Sequence, residues 1–264
     1  MKCRNTNCNN NCTGIYKGVR CQNVPNVYYQ PIRSFGIILY KHEENTNKYL
    51  MIRRKHTLGF IVLIRGKYVV DDDDAQLKTE VDRLTIYEKS LILNNTFDDN
   101  WDYLWIGQYH QKYNKEKHFA NNKYNLNINK IKEFILASTT DWSEPEWEFP
   151  KGRLHIGEEM LNGAIREFTE ETNIPYSDIK VIGNLYPFSE EYISSNDKMY
   201  KNTYYLAKYI SKYECDLNNF QIEEVSKMEW MDETECISNI RPYNTEKKIL
   251  IRKINNALHK FFVV

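Results

Sequence analysis

The stretch GRLHIGEEMLNGAIREFTEETNI (residues 152–174) carries the pattern from which fold and chemistry are best predicted. Glu167, Glu170 and Glu171 are spaced i, i+3 and i+4, so a helix would place all three carboxylates on one face. Like charges this close destabilise a bare helix, and a bound cation would compensate them. Hard oxygen ligands suit Mg²⁺ or Mn²⁺, and Arg166 is placed to hold one carboxylate through a bidentate ion pair.

A solvated acidic helix face would show the same R-E-x-x-E-E pattern, and the flanking residues distinguish the two interpretations. Gly152 precedes Glu158 with five residues between them, and Glu158 precedes Arg166 with seven. Bulky apolar residues follow at Phe168 and Ile174. This order is that of the Nudix box, G-x5-E-x7-R-E-U-x-E-E-x-G-U, in which U is bulky and apolar. Eight of the nine specified positions match, and the chain is identified as a member of the Nudix hydrolase family.

The one departure from the box is Asn173, where the family has glycine. That position closes the helix in a left-handed backbone conformation, which asparagine tolerates better than other residues with a side chain. We therefore expect the box helix to end at Asn173 in the family's geometry.

The resemblance implies an α/β Nudix fold, a mixed β-sheet between helices in an α/β/α sandwich. It implies that water attacks a phosphorus of a nucleoside diphosphate linked to a second group, with Mg²⁺ or Mn²⁺ bound. A further glutamate often precedes a strand carrying a tryptophan, and Glu224, six residues before Trp230, matches this pattern, with Glu223 as the alternative. The implied metal site comprises Gly152, Glu167, Glu170 and Glu171, and the implied catalytic residues are Glu170, Glu224 and Arg166.

The hydrophobic pattern predicts how the rest of the 264 residues is organised. Residues 34–40 and 48–54 read as a strand pair around a polar turn, and residues 247–262 read as a C-terminal amphipathic helix. We predict a Nudix domain over residues 31–264, interrupted by a helical insertion at residues 71–133, in which apolar residues recur at helical spacing.

Composition excludes some classes of protein. The formal net charge is zero, so any nucleic-acid contact would come from a local patch and not from a global basic field. No apolar run approaches the roughly 20 residues of a membrane helix, and the N-terminus lacks the apolar core of a signal peptide. These features predict an intracellular protein without a membrane partner, in which cysteines are thiols or metal ligands and not disulfides.

The N-terminal segment, residues 1–30, is polar and carries four cysteines: Cys3, Cys8, Cys12 and Cys21. Four thiolates could bind Zn²⁺ tetrahedrally and order a segment that is too polar to fold alone. The alternative is a disordered tail whose cysteines have no shared role.

The insertion is acidic in its first part and basic in residues 109–133. The basic part interleaves lysines with aromatic residues, and we predict an RNA contact there because lysines neutralise phosphates and aromatic rings stack on bases. A solvated helix face with core aromatics is the alternative interpretation. The lysines proposed to contact RNA are Lys112, Lys115 and Lys117.

The substrate is suggested by a closer resemblance, to the virus-encoded mRNA-decapping Nudix enzymes of poxviruses, African swine fever virus and giant amoebal viruses. It depends on RRKHTLGFIVLIRGKY (residues 53–68), WEFPKGR (147–153) and EEVSKMEW (223–230), together with the helical insertion, and covers roughly residues 32–262. It implies hydrolysis of the mRNA cap to 7-methyl-GDP and 5′-monophosphate RNA, in the host cytoplasm or the virion.

In the poxvirus relatives two aromatic rings hold the methylated base, an arrangement favoured by stacking and by cation–π attraction. Phe60 falls in the matching loop, and Tyr200 and Tyr192 are the candidates for the second ring. Lys151, directly before the box, is placed to meet a phosphate. Each aromatic residue has a core or surface role as its alternative.

Two other functions fit the same sequence. The enzyme could cleave diphosphoinositol polyphosphates or another nucleoside-diphosphate derivative, as the African swine fever virus relative is also thought to do with inositol substrates. A different class is a non-catalytic RNA-binding protein on a Nudix scaffold, against which the intact Glu167, Glu170 and Glu171 argue.

Overall fold

A computed structural model describes residues 14–16, 19–21, 30–70, 73–105 and 109–260. The strands in these residues are β1 (Gly14–Tyr16), β2 (Val19–Cys21), β3 (Ile32–Glu43), β4 (Thr46–Arg54), β5 (Trp147–Glu148), β6 (Lys151–Gly152), β7 (Ile179–Val181), β8 (Phe188–Ile193), β9 (Met199–Tyr209) and β10 (Val225–Met231). The helices are α1 (Leu58–Ile64), α2 (Ala75–Arg83), α3 (Ile86–Asn94), α4 (Phe97–Leu104), α5 (Tyr109–Ala137), α6 (Met160–Thr172), α7 (Glu233–Asn239) and α8 (Thr245–Lys260). A 3₁₀ turn spans Tyr176–Asp178.

The central sheet grows from the predicted hairpin. β3 and β4 are antiparallel, and the turn residues Glu44 and Asn45 both have positive φ, 48° and 63°, as a two-residue hairpin turn requires. β9 lies parallel to β3, whereas β10 lies antiparallel to the other side of β4. The order β10-β4-β3-β9-β7, with β5 on β4, β6 on β3 and β8 on β9, is therefore a mixed sheet, as predicted.

Helices cover both faces of this sheet because side chains alternate along its strands. Phe35, Ile37 and Leu39 of β3 pack with Phe168 of α6 on one face. On the other face Ile38 and Tyr40 pack with apolar residues of α8, namely Leu250, Ile251 and Ile254. The predicted α/β/α sandwich is confirmed, and so is the C-terminal helix.

Helices α1 to α5, hereafter the helical region (residues 58–137), have a hydrophobic core of their own around Trp101. The region begins before residue 71 and ends after residue 133, the predicted bounds of the insertion. Its first helix forms at the apolar run 58–64, where the Thr57 side chain caps the helix by accepting from the Phe60 amide at 3.1 Å. No helix in the described part of the chain is long and apolar enough to span a membrane.

The helical region is joined to the sheet at the end of β4. The Glu88 carboxylate, on α3, accepts hydrogen bonds from the amide and hydroxyl of Thr57 at 2.9 and 2.7 Å. Arg53 of β4 pairs with Glu144 at 2.5 Å, in the segment that leads back to the sheet. These contacts fix the position of the helical region beside the strands that carry the box.

Candidate active site

The box helix α6 positions the acidic residues. It spans Met160–Thr172 and ends at Asn173, whose φ of 53° is left-handed and whose amide donates to the Thr169 carbonyl at 2.9 Å. The expected left-handed closure at Asn173 is therefore confirmed.

Gly152 is required by the close approach of one carboxylate. β6, which contains Gly152, pairs with β3 beside the start of the box. A Cβ atom at this position would lie 2.0 Å from the Glu167 Oε2 atom, far inside van der Waals contact. Any side chain at residue 152 would displace the Glu167 carboxylate, so the glycine clears the space that the carboxylate occupies.

Arg166 holds three carboxylates at once. Its Nε and Nη2 atoms donate to the two Glu158 oxygens at 2.8 and 3.0 Å, a bidentate pair of the predicted kind. Its Nη1 atom donates to Glu167 at 2.8 Å and to Glu170 at 3.0 Å. The hydrogen bonds from Arg166 lower the pKa of Glu158 to about 2. The arginine thus fixes the positions of the carboxylates on the acidic face.

Glu171 lies at the buried end of the acidic face, 8% exposed. Its Oε2 atom accepts from the Lys151 amide at 3.0 Å. Burial raises the pKa of Glu171 to about 8, with the charges of Glu148 and Glu224 adding to the increase. The pKa of Glu167 is also raised, first by burial and then by the charges of Glu170 and Glu224.

Glu224 therefore belongs to the same electrostatic cluster, since its charge acts on both Glu167 and Glu171. It lies in the loop before β10, where its carbonyl accepts from the Lys55 amide at 2.7 Å and its amide donates to the Gln221 carbonyl at 3.2 Å. The Gln221 amide in turn donates to the Glu171 carbonyl at 3.2 Å. This loop carries Glu224 to the end of the box helix.

The donor set fits a hard divalent cation, because it consists of carboxylate oxygens, and burial followed by neighbouring carboxylate charges raises the pKa of Glu167 and Glu171. In the part of the chain that the structure describes, no three His, Cys, Asp or Glu side chains are arranged around one metal position; Arg166 and the Lys151 amide hold the carboxylates instead. The residues that would bind Mg²⁺ or Mn²⁺, the ions generally used in this fold, are Glu167, Glu170 and Glu171 beside Gly152.

Lys151 was expected to contact a substrate phosphate, but in the structure its ammonium group forms an ion pair within the protein. Its Nζ atom donates to Glu148 at 2.6 Å, and Glu148 also pairs with Arg54. Burial opposes the charge of Lys151, yet the attraction of Glu148 outweighs it and raises the pKa of the lysine. Lys151 therefore contributes its amide to Glu171 and its ammonium to a buried ion pair.

The predicted cap-binding rings do not form a base-binding pair. Phe60 is fully buried in the core of the helical region, stacked on His56 at 5.6 Å and edge-on to Tyr103 at 5.8 Å, so a nucleobase cannot reach it. Tyr192 and Tyr200 stack on each other at 5.6 Å. A base between two rings needs roughly 7 Å, twice the usual contact distance, so these tyrosines cannot enclose one as they stand.

The predicted RNA-contacting lysines lie on α5 with different surroundings. Lys115 is exposed. Lys117 pairs with Asp98 at 2.8 Å and lies 3.8 Å from Asp102. The side chain of Lys112 lies outside the described residues.

The zinc prediction also falls outside the described residues. Cys3, Cys8 and Cys12 are not described, and Cys21 is described only as the last residue of strand β2, so this remains a prediction. Cys215 and Cys236 are free thiols, half-buried and buried respectively.

Sequence reasoning missed a cavity of about 170 Å³ between the sheet and the helical region. Its walls include Glu223 and Glu224 on one side and the rings of Trp105 and Tyr113, stacked at 3.9 Å, on another. The other lining residues that matter for charge are Arg54, Lys55, His56 and Arg65. The basic run RRKH at residues 53–56 was the one sequence feature that could have indicated this cavity. The residues on its opposite walls are distant in sequence, so the run alone did not predict it.

Known proteins resemble this chain in sequence. A family model described as NUDIX domain matches residues 128–254. The "Putative mRNA-decapping protein" of Acanthamoeba polyphaga mimivirus is 30% identical over 236 residues, 80% of this chain but 65% of that protein, so the chain spans slightly less than two thirds of this relative. mRNA-decapping protein g5R of African swine fever virus is 28% identical over 229 residues, 81% of this chain and 91% of the relative.

Among solved structures, the Ap4A hydrolase binary complex of C. elegans superposes with a TM-score of 0.46 at 14% identity, covering 87% of this chain and 99% of that one. The box geometry, the family match and the viral relatives agree on one identification: the chain contains a Nudix domain, matched over residues 128–254, and is similar to viral mRNA-decapping proteins.

Proposed function

We propose that this protein hydrolyses the 5′ cap of mRNA, releasing 7-methyl-GDP and RNA with a 5′-monophosphate. The observation that carries the proposal is the position of the cavity, which is lined by aromatic rings at one wall and by Glu224 at another. Glu224 also acts electrostatically on Glu167 and Glu171, so a nucleotide whose base lies at the aromatic wall would direct its phosphates past Glu224 towards the box glutamates. The names of the viral relatives support the same substrate.

The chemistry follows from the groups on this face. Glu167, Glu170 and Glu171 would hold divalent ions, and bound ions would supply charge neutralisation for the phosphates and activation of water. Glu224 accepts a proton from the attacking water. At the same time the water oxygen bonds to phosphorus, and the bond between that phosphorus and the bridging oxygen of the cap breaks. Arg166 acts as a positioning residue, since its guanidinium is committed to carboxylates.

The walls of the cavity favour a nucleotide over an inositol pyrophosphate. Arg65 lies over the rings of Tyr113 and Trp105, 4.8 and 5.4 Å from their centroids. Both rings line the cavity, and a cationic 7-methylguanine in contact with an aromatic ring gains cation–π attraction. An inositol ring has no π-face and would gain nothing from this wall, although Lys55, which also lines the cavity, suits the phosphates of either substrate.

Cap-labelled RNA provides the test. With Mg²⁺ or Mn²⁺, the wild-type protein should release labelled 7-methyl-GDP, and Glu171→Gln is the matched control that should release little. Nucleotides and diphosphoinositol polyphosphates are assayed beside it. Preferential cleavage of the inositol substrates would replace this function by the alternative. RNA binding without product from any substrate would favour a non-catalytic binding protein.

A further inference from the structure

His56 lies at the junction of the sheet and the helical region and is 3% exposed. Its ring stacks on Phe60 with centroids 5.6 Å apart and meets the Tyr103 ring edge-on at 4.9 Å. Neither ring nitrogen has a hydrogen-bond partner among the described residues. The imidazole is thus packed as if it were an apolar ring while retaining two polar atoms.

This arrangement is costly for a side chain whose only role is packing. Leaving a buried donor or acceptor without a partner costs roughly 1–3 kcal/mol, and nearly all buried polar groups in proteins find partners. The next residue, Thr57, has its amide, hydroxyl and side-chain acceptor all engaged, by Glu88 and Phe60. A phenylalanine would fill the place of His56 without this cost, so the nitrogens need an explanation.

The cavity provides that explanation. His56 lines it together with Arg54, Lys55 and Glu224, and the Nε atom of Arg54 is likewise without a partner among the described residues. The two nitrogens of His56 and the Nε atom of Arg54 are therefore polar atoms without a partner among the described residues, on side chains that line a cavity shared with Glu223 and Glu224.

The protonation state of His56 limits what it can bind. Burial, with the nearby charges of Lys55 and Arg54, lowers the pKa of His56 to about 3, so the ring is neutral near pH 7. A neutral imidazole has one donor and one acceptor. It suits a neutral polar group better than a phosphate, for which the flanking cations are the better partners.

We infer that His56 is a specificity-determining residue that hydrogen-bonds the terminal nucleoside of the substrate, through a group that both donates and accepts. This inference rests on the proposed function of the same site. A ribose hydroxyl and the polar edge of the base both have the required chemistry. Because such a contact would be buried, a substrate lacking it would leave His56 unpaired again and would bind more weakly.

The test uses the full chain with His56→Phe, which keeps an aromatic ring against Phe60 and Tyr103 but removes both nitrogens. We expect unchanged or greater stability to denaturant, a KM for a dinucleotide cap analogue raised roughly tenfold through the lost hydrogen bond, and little change in kcat. His56→Gln retains a donor and an acceptor and should recover part of the KM. Tyr103→Phe, which alters the ring on the other side of His56, should leave KM unchanged.

The two sources of the bonding group are separated by substrate analogues. If His56 contacts the ribose, a 2′,3′-dideoxy terminal nucleoside should abolish the KM difference between wild type and His56→Phe. If it contacts the base, the difference should be abolished either by a 7-methylinosine cap, which lacks the 2-amino group, or by a 7-methyl-2-aminopurine cap, which lacks O6 and the N1 proton.

An unchanged KM for both His56 variants, with wild type active on caps, would overturn the inference and leave a packing residue. Wild type inactive on every cap substrate would instead overturn the proposed function. Calorimetry with 7-methyl-GDP would still decide the role of His56, since equal affinity of wild type and His56→Phe, or no binding by either, contradicts it.

Discussion

Two buried carboxylates, Glu88 and Glu171, have opposite surroundings. Glu88, 2% exposed, accepts four hydrogen bonds, two from Thr57 and two from Thr85, at 2.7–3.1 Å. Glu171, 8% exposed, accepts one hydrogen bond, from the Lys151 amide, and the charges of Glu148 and Glu224 oppose its ionisation. Burial raises the pKa of both groups, but only at Glu88 do several donors compensate.

The difference in hydrogen bonding distinguishes a carboxylate with a structural role, Glu88, from one with a proposed functional role, Glu171. Glu88 joins the helical region to the sheet, and its partners are all protein groups. The carboxylate of Glu171 is incompletely compensated by protein groups and is therefore suited to binding a metal cation. Functional sites commonly retain such groups even though they lower the stability of the fold. Four predictions test the rule that a polar group satisfied by the protein is structural and one left unsatisfied is functional.

The largest expected effect is on catalysis at Glu171. Glu171→Gln removes a charged ligand and keeps the shape, so turnover on cap-labelled RNA should fall at least ~100-fold. The free energy of unfolding should not decrease, because the substitution removes an ionisable group whose charged form is destabilised by burial and by neighbouring carboxylates. Near-normal turnover of this variant, measured with Mg²⁺ or Mn²⁺ in excess, would contradict the proposed mechanism.

The same substitution at Glu88 should have the reverse outcome. In Glu88→Gln an amide group faces backbone and hydroxyl donors, so buried donors lose their acceptor at a cost of roughly 2–3 kcal/mol in the free energy of unfolding. Turnover of the folded fraction on a dinucleotide cap analogue should stay near that of wild type. Denaturant unfolding measures the first quantity. A stable but inactive variant would show that Glu88 acts at the active site.

The sequence was sufficient to predict features that depend on residue spacing within a single helix or hairpin. Glu167, Glu170 and Glu171 share one helical face, and the closure of that helix at Asn173 depends only on local backbone preference. The hairpin and the C-terminal helix were predictable for the same reason. The start of the helical region was not, because a short apolar run such as residues 58–64 can be a strand or a helix until its packing is known.

The misassigned residues had roles that depend on distant partners. A lysine before the box looks free to bind phosphate unless Glu148 is known to hold its ammonium, and Phe60 looks like a binding ring unless Tyr103 and His56 are known to cover it. The cavity likewise combines residues 54–65, 104–113 and 223–224. Helical periodicity contains no information about tertiary contacts between residues that are distant in sequence.

His56 should give a pH-dependent effect on stability. Its pKa is about 3 in the folded protein and about 6.5 in the unfolded chain, so between these values the unfolded chain binds more protons and stability falls as pH decreases. The contribution approaches about 1.4 kcal/mol per pH unit. His56→Phe lacks it, so the stability advantage of the variant should grow as the pH is lowered from about 7 to 5. Parallel pH profiles of the two proteins would show that His56 has a partner.

The smallest expected effect compares two lysines of α5 that differ as the two carboxylates do. Lys117 is paired with Asp98 and lies near Asp102, whereas Lys115 is exposed and forms no ion pair with the described residues. If this helix binds RNA, Lys115→Ala should weaken binding and reduce the slope of log affinity against log salt by about 0.7. Lys117→Ala should reduce it less, because RNA must compete with the aspartates.

Fluorescence anisotropy with a capped RNA over a range of salt concentrations measures both slopes. Hydrolysis of a dinucleotide cap analogue, which would occupy the cavity but has no RNA chain to extend along α5, serves as the control and should be unaffected in either variant. Equal slope changes in the two variants would mean that the ion pairs of Lys117 do not oppose RNA binding. No change in either would place the RNA contact elsewhere, and a loss of dinucleotide hydrolysis would indicate that the lysines support folding of the helical region.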